Sequence, residues 1–515
     1  MIDLLRSLFR NKKKPPASVQ NKATPQIDRL QLTFTKNLND NLEKIKQTLQ
    51  DSSDITVKKI VLNNLDAAII FIDTLSDKMD IEKVIDNLTA SNYPFEETLS
   101  FTLKTYENKD SLSKDCINDM LAGYVLLFFD GQKAPYSFMA RKHDGRSVSQ
   151  PINEQIIQGS HEGFTESLET NLFLTRKNLI SPNMTVKTFQ IGKEAQKTVA
   201  LLYLNNLADP DLIRKIEKRI NSIDTDSLFS FAYLVDYIED YTFTPFPQCL
   251  ATERVDRVCG NLTEGRVALF IEGSASALIL PVTFFAFYQS PDDYNTRFTI
   301  GSFYRLIRYL AFLIAILLPS LYIAIIGFHN EVLPSYLVFM AKKSVETIPY
   351  RPLIEAGIVE IFIELIREAS LRLPTKIGPT IGIVGGLVIG DAIVQAGLVS
   401  NLMVVIVALT SISSFVIPSS DMSLTVRILR FPFMIMAAFL GLYGILIGFL
   451  ILIGHLCKLQ PFGIPYLAPI SPIKWSDLKD TIIRAPVITM NRRPAETKTK
   501  NIIRQGFSRW WKKNE

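Results

Sequence analysis

The pattern of apolar and polar positions divides the chain near residue 305. Up to about Arg305 the sequence is polar and rich in charge, whereas long apolar runs dominate from Leu306 to Cys457. A helix needs about 20 predominantly apolar residues to cross a bilayer. We therefore expect an α+β/α multi-domain fold, with two cytosolic α/β subdomains followed by a helical transmembrane domain.

Apolar strands alternate with amphipathic helices in the polar half. The predicted strands of the first subdomain are 55–62, 67–73 and 124–131, and its predicted helices begin near Asp80 and cover 113–121. This alternation is typical of α/β organisation. A second stretch of the chain has a similar order of strands and helices. In both stretches a strand ends in an acidic residue followed by a glycine, Asp130-Gly131 and Glu272-Gly273. The recurrence indicates two related subdomains.

The predicted helix at 252–265 carries charges of both signs. Glu253, Arg254, Asp256 and Arg257 alternate along it. Such spacing is typical of a solvated helix face with local ion pairs, each of which contributes little to stability. We expect a solvent-exposed face here rather than a catalytic one.

The polar half lacks the motifs that catalysis or nucleotide binding would need. There is no GxxxxGK phosphate loop, nucleophile elbow or triad spacing. The four histidines are scattered, with no close carboxylate or thiol cluster, so we expect no metal site and no cofactor. We do not expect an enzyme.

The apolar half predicts several membrane segments, at 306–328, 378–398, 401–418 and 431–454. Pro319 is expected to kink the first of these. With both chain ends inside, the number of crossings must be even, so we expect four full spans. An additional acidic helix then lines a protein-buried cavity. This choice leaves Arg427 and Arg430 outside, against the positive-inside rule.

The acidic helix covers 353–372 and leads into a glycine-paced segment. Glu360, Glu364 and Glu368 recur every four residues and share one face, with Arg367 and Arg372 at its edges. A charge within a membrane segment costs about 3 kcal/mol on insertion scales, so it usually faces a bundle interior or an aqueous path. These glutamates are therefore candidates for lining an ion path; the alternative is an interfacial helix whose charges meet water.

Four glycines follow at intervals of four, which form overlapping GxxxG units: Gly378, Gly382, Gly386 and Gly390. This spacing lets a second helix approach closely, so we expect a helix-packing or oligomer interface. Asp391 lies on a different face of the same segment. It is either a pore or inter-subunit contact, or a hydrogen-bonded aspartate within the helix packing.

Charge and cysteine content change this picture little. The net charge of +5 over 515 residues does not indicate a nucleic-acid partner. The four cysteines form no CxxC pair, which is compatible with a cytosolic soluble part. The expected domains are a basic amino-terminal tail at 1–25, subdomains at 26–141 and 142–300, a membrane domain at 301–458 and a basic cytosolic carboxy-terminal tail at 459–515.

Several segments together resemble the A subunit of GerA-type spore germinant receptors, a family of Bacilli and Clostridia. They are PFPQ at 245–248, TERVDRV, EGRVALFIEG, YNTRF, HNEVLP, ELIREASLRLP and GIVGGLVIGDAIVQAGLVS. The resemblance covers roughly residues 140–475. One departure is SVETIPYRPLIEA at 344–356, where the family more usually has an Arg-Glu-Gly pattern before a Pro-Phe-Pro.

The resemblance implies a multi-pass protein of the spore inner membrane with its large amino-terminal domain facing the spore core. It implies a homo-oligomer, a pentamer in the family, that forms a nutrient-gated cation channel in the lipid. The implied partners are a transporter-like B subunit that binds the nutrient and a lipoprotein C subunit. The alternatives are a related A-type channel that releases small solutes downstream of the receptor, and a non-conducting membrane scaffold.

Overall fold

The computed structural model describes residues 33–62, 65–90, 103–104, 106, 112–142, 150–151, 153–336, 338–339, 348–372, 386 and 390–506. Within it the chain forms two compact units. The first contains residues up to 239, 251–281 and the segment from 485 onward, and the second contains 240–250 and 282–484. We describe the α/β unit first and the helical unit second.

The first subdomain of the α/β unit is built on a four-stranded sheet in the order β1-β2-β3-β4. Its elements are α1 (Leu38–Thr48), β1 (Ile55–Leu62), β2 (Leu65–Ile72), α2 (Lys78–Ala90), α3 (Leu112–Leu121), β3 (Tyr124–Phe129) and β4 (Tyr136–Met139). Neighbouring strands pair antiparallel throughout. Apolar side chains of β2 and β3 form the core with Ile81 and Leu88 of α2. The predicted positions of the strands and helices are confirmed.

The second subdomain holds a five-stranded sheet in the order β5-β6-β8-β9-β7. Its elements are α4 (Leu168–Asn178), β5 (Met184–Ile191), β6 (Lys197–Leu204), α5 (Pro210–Asn221), α6 (Phe231–Ile238), β7 (Leu250–Thr252), α7 (Val255–Thr263), β8 (Val267–Ile271) and β9 (Ala277–Leu280). Asp209 caps the start of α5, and Pro210 follows at its first turn, where a missing N–H costs nothing. Here too the described pairings are antiparallel.

The two subdomains share a helix-entry motif, which bears out the recurrence seen in the sequence. In the first, the backbone N–H of Thr35 donates to Asn41 Oδ1 at 2.7 Å and that of Leu38 to Asp130 Oδ1 at 3.2 Å. The second repeats both bonds with residues of the same kind: Thr165 to Asn171 Oδ1 at 2.8 Å, and Leu168 to Glu272 Oε2 at 3.0 Å. The acidic residue after each strand therefore accepts a hydrogen bond from a backbone N–H in the first turn of a helix, which has no partner within the helix.

The helix at Val255–Thr263 corrects the expectation of a solvated charged face. Arg254 is fully buried; it pairs with Asp256 at 2.7 Å and donates to the backbone oxygen of Ser160 at 2.8 Å. Arg257 is nearly buried and pairs with Glu154 at 2.6 Å. These charges hold the preceding loop, because a buried guanidinium needs partners for its donors. Local spacing could not show that the loop at 153–160 covers this helix.

The helical unit contains α8 (Asp292–Asn295), α9 (Phe298–Gly327), α10 (Pro352–Arg372), α11 (Gly390–Gln395), α12 (Asn401–Phe415), α13 (Ser420–Leu440) and α14 (Leu442–Lys458). Helix α9 packs against α12 and α13, and α10 contacts all three. By length and composition, two of the described helices, α9 and α13, could cross a membrane, and α12 and α14 are shorter apolar helices.

The apolar stretch at 431–454 is not a single span, contrary to the prediction. The chain reverses at Gly441, whose φ of 61° lies in the left-handed region that favours glycine. Helices α13 and α14 therefore form a hairpin. A Cβ on Gly444 would lie 2.1 Å from the Met436 carbonyl oxygen, so the absence of a side chain allows the two helices to pack together.

Residues expected as a basic cytosolic tail are folded. Tyr466 is fully buried, and its hydroxyl donates to the Pro247 carbonyl oxygen at 2.7 Å within the helical unit. Further on, Arg493 Nε donates to the Thr263 carbonyl oxygen at 2.7 Å within the α/β unit. The division of the chain consequently differs from the expected boundaries at 300 and 458, because the segment after 458 contributes to both units.

Candidate functional site

Helix α10 carries the predicted site residues and buries part of its polar side. Glu355 and Glu360 are buried together with Ala356 and Val359, whereas Ile361 and Leu365 are exposed. In a water-soluble bundle the apolar residues would face inward. Buried carboxylates beside exposed apolar side chains are typical of a helix with an apolar environment outside and polar partners inside.

Glu360 lies inside the helical unit and is paired with an arginine of α13. Its side chain is 3% exposed and that of Arg430 is 4% exposed, and the two form an ion pair. Glu360 Oε1 and two guanidinium nitrogens of Arg430 have no further hydrogen-bond partner among the described residues. The pair is therefore desolvated but incompletely satisfied, a combination that contributes little net stability.

Glu364 lies one turn further along α10 and is half exposed. Arg427 Nη1 donates to its Oε1 at 2.7 Å, and Arg367 approaches its other oxygen at 3.6 Å. The Arg367 guanidinium also stacks on the Phe415 ring, 4.3 Å from the centroid. Cations of two helices thus surround this carboxylate.

Glu368 is the most exposed of the three predicted carboxylates, at 57% of its side chain. Its partner is Arg372, one turn away on the same helix, at 2.6 Å. An exposed pair of this kind contributes at most about 1 kcal/mol. Exposure of the side chain therefore increases along the three carboxylates, from the buried Glu360 through Glu364 to Glu368. Their role in lining an ion path stays a prediction.

The other predicted site residues are spread around the α11 segment. Gly378 and Gly382 lie outside the described residues. Gly386 and Gly390 are described, and a Cβ on either would have nothing within 4 Å. Asp391 is exposed and accepts a hydrogen bond from Gln395 Nε2 at 2.6 Å. Among the residues that the structure describes, none fills the space beside these two glycines.

Arg427, Arg430 and Glu355 are the site residues that sequence reasoning missed. The two arginines, which the expected topology placed outside against the positive-inside rule, are three residues apart on one face of the apolar α13. A charge pair at helical spacing in an apolar stretch was the available signal. Glu355 accepts hydrogen bonds from the backbone N–H and the hydroxyl of Ser400 at 2.7 and 2.5 Å, which ties α10 to the start of α12.

A second buried charge cluster holds the start of α9. The Asp293 carboxylate accepts from Arg308 at 2.7 Å and from Arg305 at 3.2 Å. Arg305 also donates to Asp480 at 3.0 Å. A Cβ on Gly301 would lie 2.6 Å from the Asp293 carbonyl oxygen, so a glycine is needed at this close approach. Arg305 and Arg308, at the start of the first apolar stretch, are thus ion-paired within the protein.

Comparison with known proteins identifies the family. Residues 43–496 match the family model described as Bacillus/Clostridium GerA spore germination protein. The chain is 39% identical over 471 residues to the Bacillus subtilis "Uncharacterized membrane protein YfkQ", covering 90% of this chain and 91% of that protein. It is 36% identical over 476 residues to "Spore germination protein KA" of the same organism, covering 90% and 88%.

The matches extend to a second species and to a solved structure. "Spore germination protein GerLA" of Bacillus cereus is 34% identical over 479 residues, covering 91% of this chain and 97% of that protein. The crystal structure of the N-terminal domain of the A subunit of the Bacillus megaterium spore germinant receptor GerK3 aligns at 30% identity with a TM-score of 0.38, over 50% of this chain and 99% of that one. The chain belongs to the GerA family of spore germination proteins.

Proposed function

We propose that this protein is a multi-pass membrane subunit of a nutrient germinant receptor that triggers spore germination, in the spore inner membrane with its α/β unit on the core side. In this proposal it forms a homo-oligomeric, nutrient-gated cation channel. A transporter-like B subunit binds the nutrient, and a lipoprotein C subunit completes the receptor. The family membership supports the role in germination.

The observation that carries the channel proposal is that α10 buries a carboxylate while it exposes apolar side chains. Glu360 meets Arg430 inside the helical unit and the half-exposed Glu364 meets Arg427, while apolar side chains of α10, α13 and α14 are exposed. Exposed apolar side chains suit a lipid environment, and ionisable groups within such a bundle usually mark an ion pathway. Around an oligomer axis, glutamates one turn apart would form stacked rings, which favour cations over anions.

The test is ion selectivity in the presence of nutrient. Glu364→Gln and Glu368→Gln, each in the assembled receptor, should lower the ratio of K⁺ to Cl⁻ permeability roughly fivefold, because both side chains are more than half exposed and the Coulomb attraction of a carboxylate about 4 Å from a cation amounts to about 1 kcal/mol in water, at a dielectric constant of about 80. Glu331→Gln, an exposed glutamate in a short 3₁₀ turn, is the matched control. An unchanged ratio would refute the pore assignment.

Two further outcomes separate the alternatives. A receptor that assembles but passes no cations would be a scaffold. Spores that lack the protein should lose responses to particular nutrients if it is a receptor subunit, whereas a downstream channel would affect the response to every nutrient. The "Uncharacterized membrane protein YfkQ", whose name carries no germination role, makes this comparison necessary.

A further inference from the structure

Two neighbouring ion pairs join α10 to α13. Arg430 pairs with Glu360, and Arg427 pairs with Glu364. A step of four residues forward along α10 corresponds to a step of three residues backward along α13, so the helices run antiparallel at this contact. We name these two contacts the α10–α13 pairs. They fasten one face of the acidic helix over about one helical turn.

The charges at this contact leave the region positive. Three arginines, Arg367, Arg427 and Arg430, face two carboxylates, Glu360 and Glu364, which gives 3 − 2 = +1. Glu368 and Arg372 cancel each other on the exposed side. A path lined by this arrangement would repel cations rather than attract them. The conformation seen here is therefore suited to a closed state.

The α10–α13 pairs are also poised to separate. In the buried pair, Glu360 Oε1 and Arg430 Nε and Nη2 lack partners among the residues that the structure describes, as does Arg427 Nε in the second pair. A buried ion pair with unmet hydrogen bonds roughly offsets its own desolvation cost. A state in which the same groups meet water or ions is consequently accessible at small cost.

We propose that Arg427 and Arg430 are the gating residues of the channel: they neutralise Glu360 and Glu364 in the closed state, and opening separates α10 from α13 so that the carboxylates face the cation path. This inference rests on the proposed channel function and specifies how it is regulated. The nutrient signal has to bias only the contact between the two helices, since a signal shifts an equilibrium only through a difference between two states.

The test is cation release without nutrient, in spores that carry the full receptor. Arg430→Gln leaves Glu360 unpaired in the closed state alone, so nutrient-independent K⁺ release should rise on the order of 100-fold, because removal of one partner of a buried pair is strongly destabilising. Arg427→Gln should have a smaller effect in the same direction, since Glu364 is half exposed. Arg351→Gln, an exposed arginine just before the start of α10, is the matched control and should leave the closed state intact.

Charge exchange distinguishes gating from simple damage. Glu360→Arg combined with Arg430→Glu restores the pair and should return the leak toward the wild-type level. If Arg430→Gln does not accumulate in the membrane, Arg427→Gln carries the test, because it leaves the half-exposed Glu364 unpaired at the same contact and should also leak. A variant present at the wild-type amount with no leak overturns the gating role, as does a leak that the exchange fails to reduce. A wild-type receptor with no nutrient-triggered cation release would instead refute the proposed channel itself.

Discussion

At the scale of single residues, the strongest link between the two subdomains is a buried ion pair. Arg176 of α4 donates to both oxygens of Asp54, at 2.6 and 2.8 Å, and Ser52 and Thr74 also donate to this carboxylate, at 2.6 and 2.9 Å. Next to it, the Ser53 N–H donates to the Val186 carbonyl oxygen at 2.8 Å. Two of these hydrogen bonds to the Asp54 carboxylate, those from Arg176, thus join the subdomains, and the bonds from Ser52 and Thr74 hold the carboxylate in place within the first subdomain.

We expect Arg176→Gln to loosen this contact. Removal of one partner of a buried pair costs about 3–5 kcal/mol, so hydrogen exchange of the Ser53 amide, measured by mass spectrometry on the full chain, should become much faster. The control is Glu169→Gln, which removes the more exposed Lys142–Glu169 pair and should cost at most about 1 kcal/mol. Equal protection of Ser53 in both variants would contradict the structural role of Arg176.

The same pair predicts a pH dependence. Burial alone would raise the pKa of the Asp54 carboxyl, but the charge and hydrogen bonds of Arg176 outweigh it and hold the pKa below its ordinary value of 3.8. The unfolded chain therefore binds this proton more readily, so the contribution is full above pH 3.8 and is lost as the pH falls through the lowered pKa. The stability difference between wild type and Asp54→Asn should shrink over that range in an acid titration followed by circular dichroism; a constant difference would mean that charge is not its source.

At the scale of elements, the α13–α14 hairpin depends on glycines that have different surroundings. Gly444 lies against the α13 backbone, and a Cβ on Gly448 would lie 2.4 Å from the Met436 side chain. Gly454, further along α14, has open space around it. The spacing of four residues between Gly444 and Gly448 thus allows close helix packing within one chain, while the row from Gly378 to Gly390 stays a predicted interface.

Gly444→Ala should weaken the hairpin, since its methyl group would overlap a main-chain oxygen that cannot move without shifting α13. The expected cost is about 1–3 kcal/mol, the usual range for overpacking. Gly454→Ala is the matched control and should be neutral or stabilising by up to about 1 kcal/mol, because alanine favours a helix. Thermal melting of the detergent-solubilised protein compares them, and equal melting temperatures would show that the two helices are not closely packed.

At the scale of the whole molecule, the chain passes between its two units after residues 239, 250, 281 and 484. The α/β unit is consequently assembled from three separate segments. In the helical unit, Phe246 packs edge-on against Phe284 and Tyr466, with ring centroids 6.5 and 6.2 Å apart. The PFPQ motif thus anchors the short excursion at 240–250 to the helical unit.

Assembly of copies is the prediction that belongs to this scale. Gly386 has no described neighbour within reach of a Cβ, so Gly386→Leu should leave the single chain intact yet disrupt an oligomer that packs on this row. Native gels of the solubilised protein should show a shift toward smaller species. Gly260→Leu, which also has open space but lies in α7, is the control; intact Gly386→Leu oligomers would count against this interface.

Local periodicity in the sequence was sufficient to locate most elements. The apolar run of β2 and the alternation of β1 fall where predicted, because the environment of a strand or helix face is encoded in adjacent positions. The first long apolar helix and the acidic helix were found in the same way. The repeated helix-entry motif also had a sequence signal, a threonine six residues before an asparagine in each subdomain.

Only the tertiary structure decided which partner each charged side chain has. The partner of Glu360 lies 70 positions away in the sequence. No periodic pattern in the sequence indicates the loop that buries Arg254. The reversal at Gly441 likewise depends on a single left-handed residue inside an apolar run that reads as one span. Sequence by itself therefore determined the elements and the carboxylate stripe, whereas folding determined that arginines of α13 pair with Glu360 and Glu364, because ion pairing depends on distances in space that a local pattern does not contain.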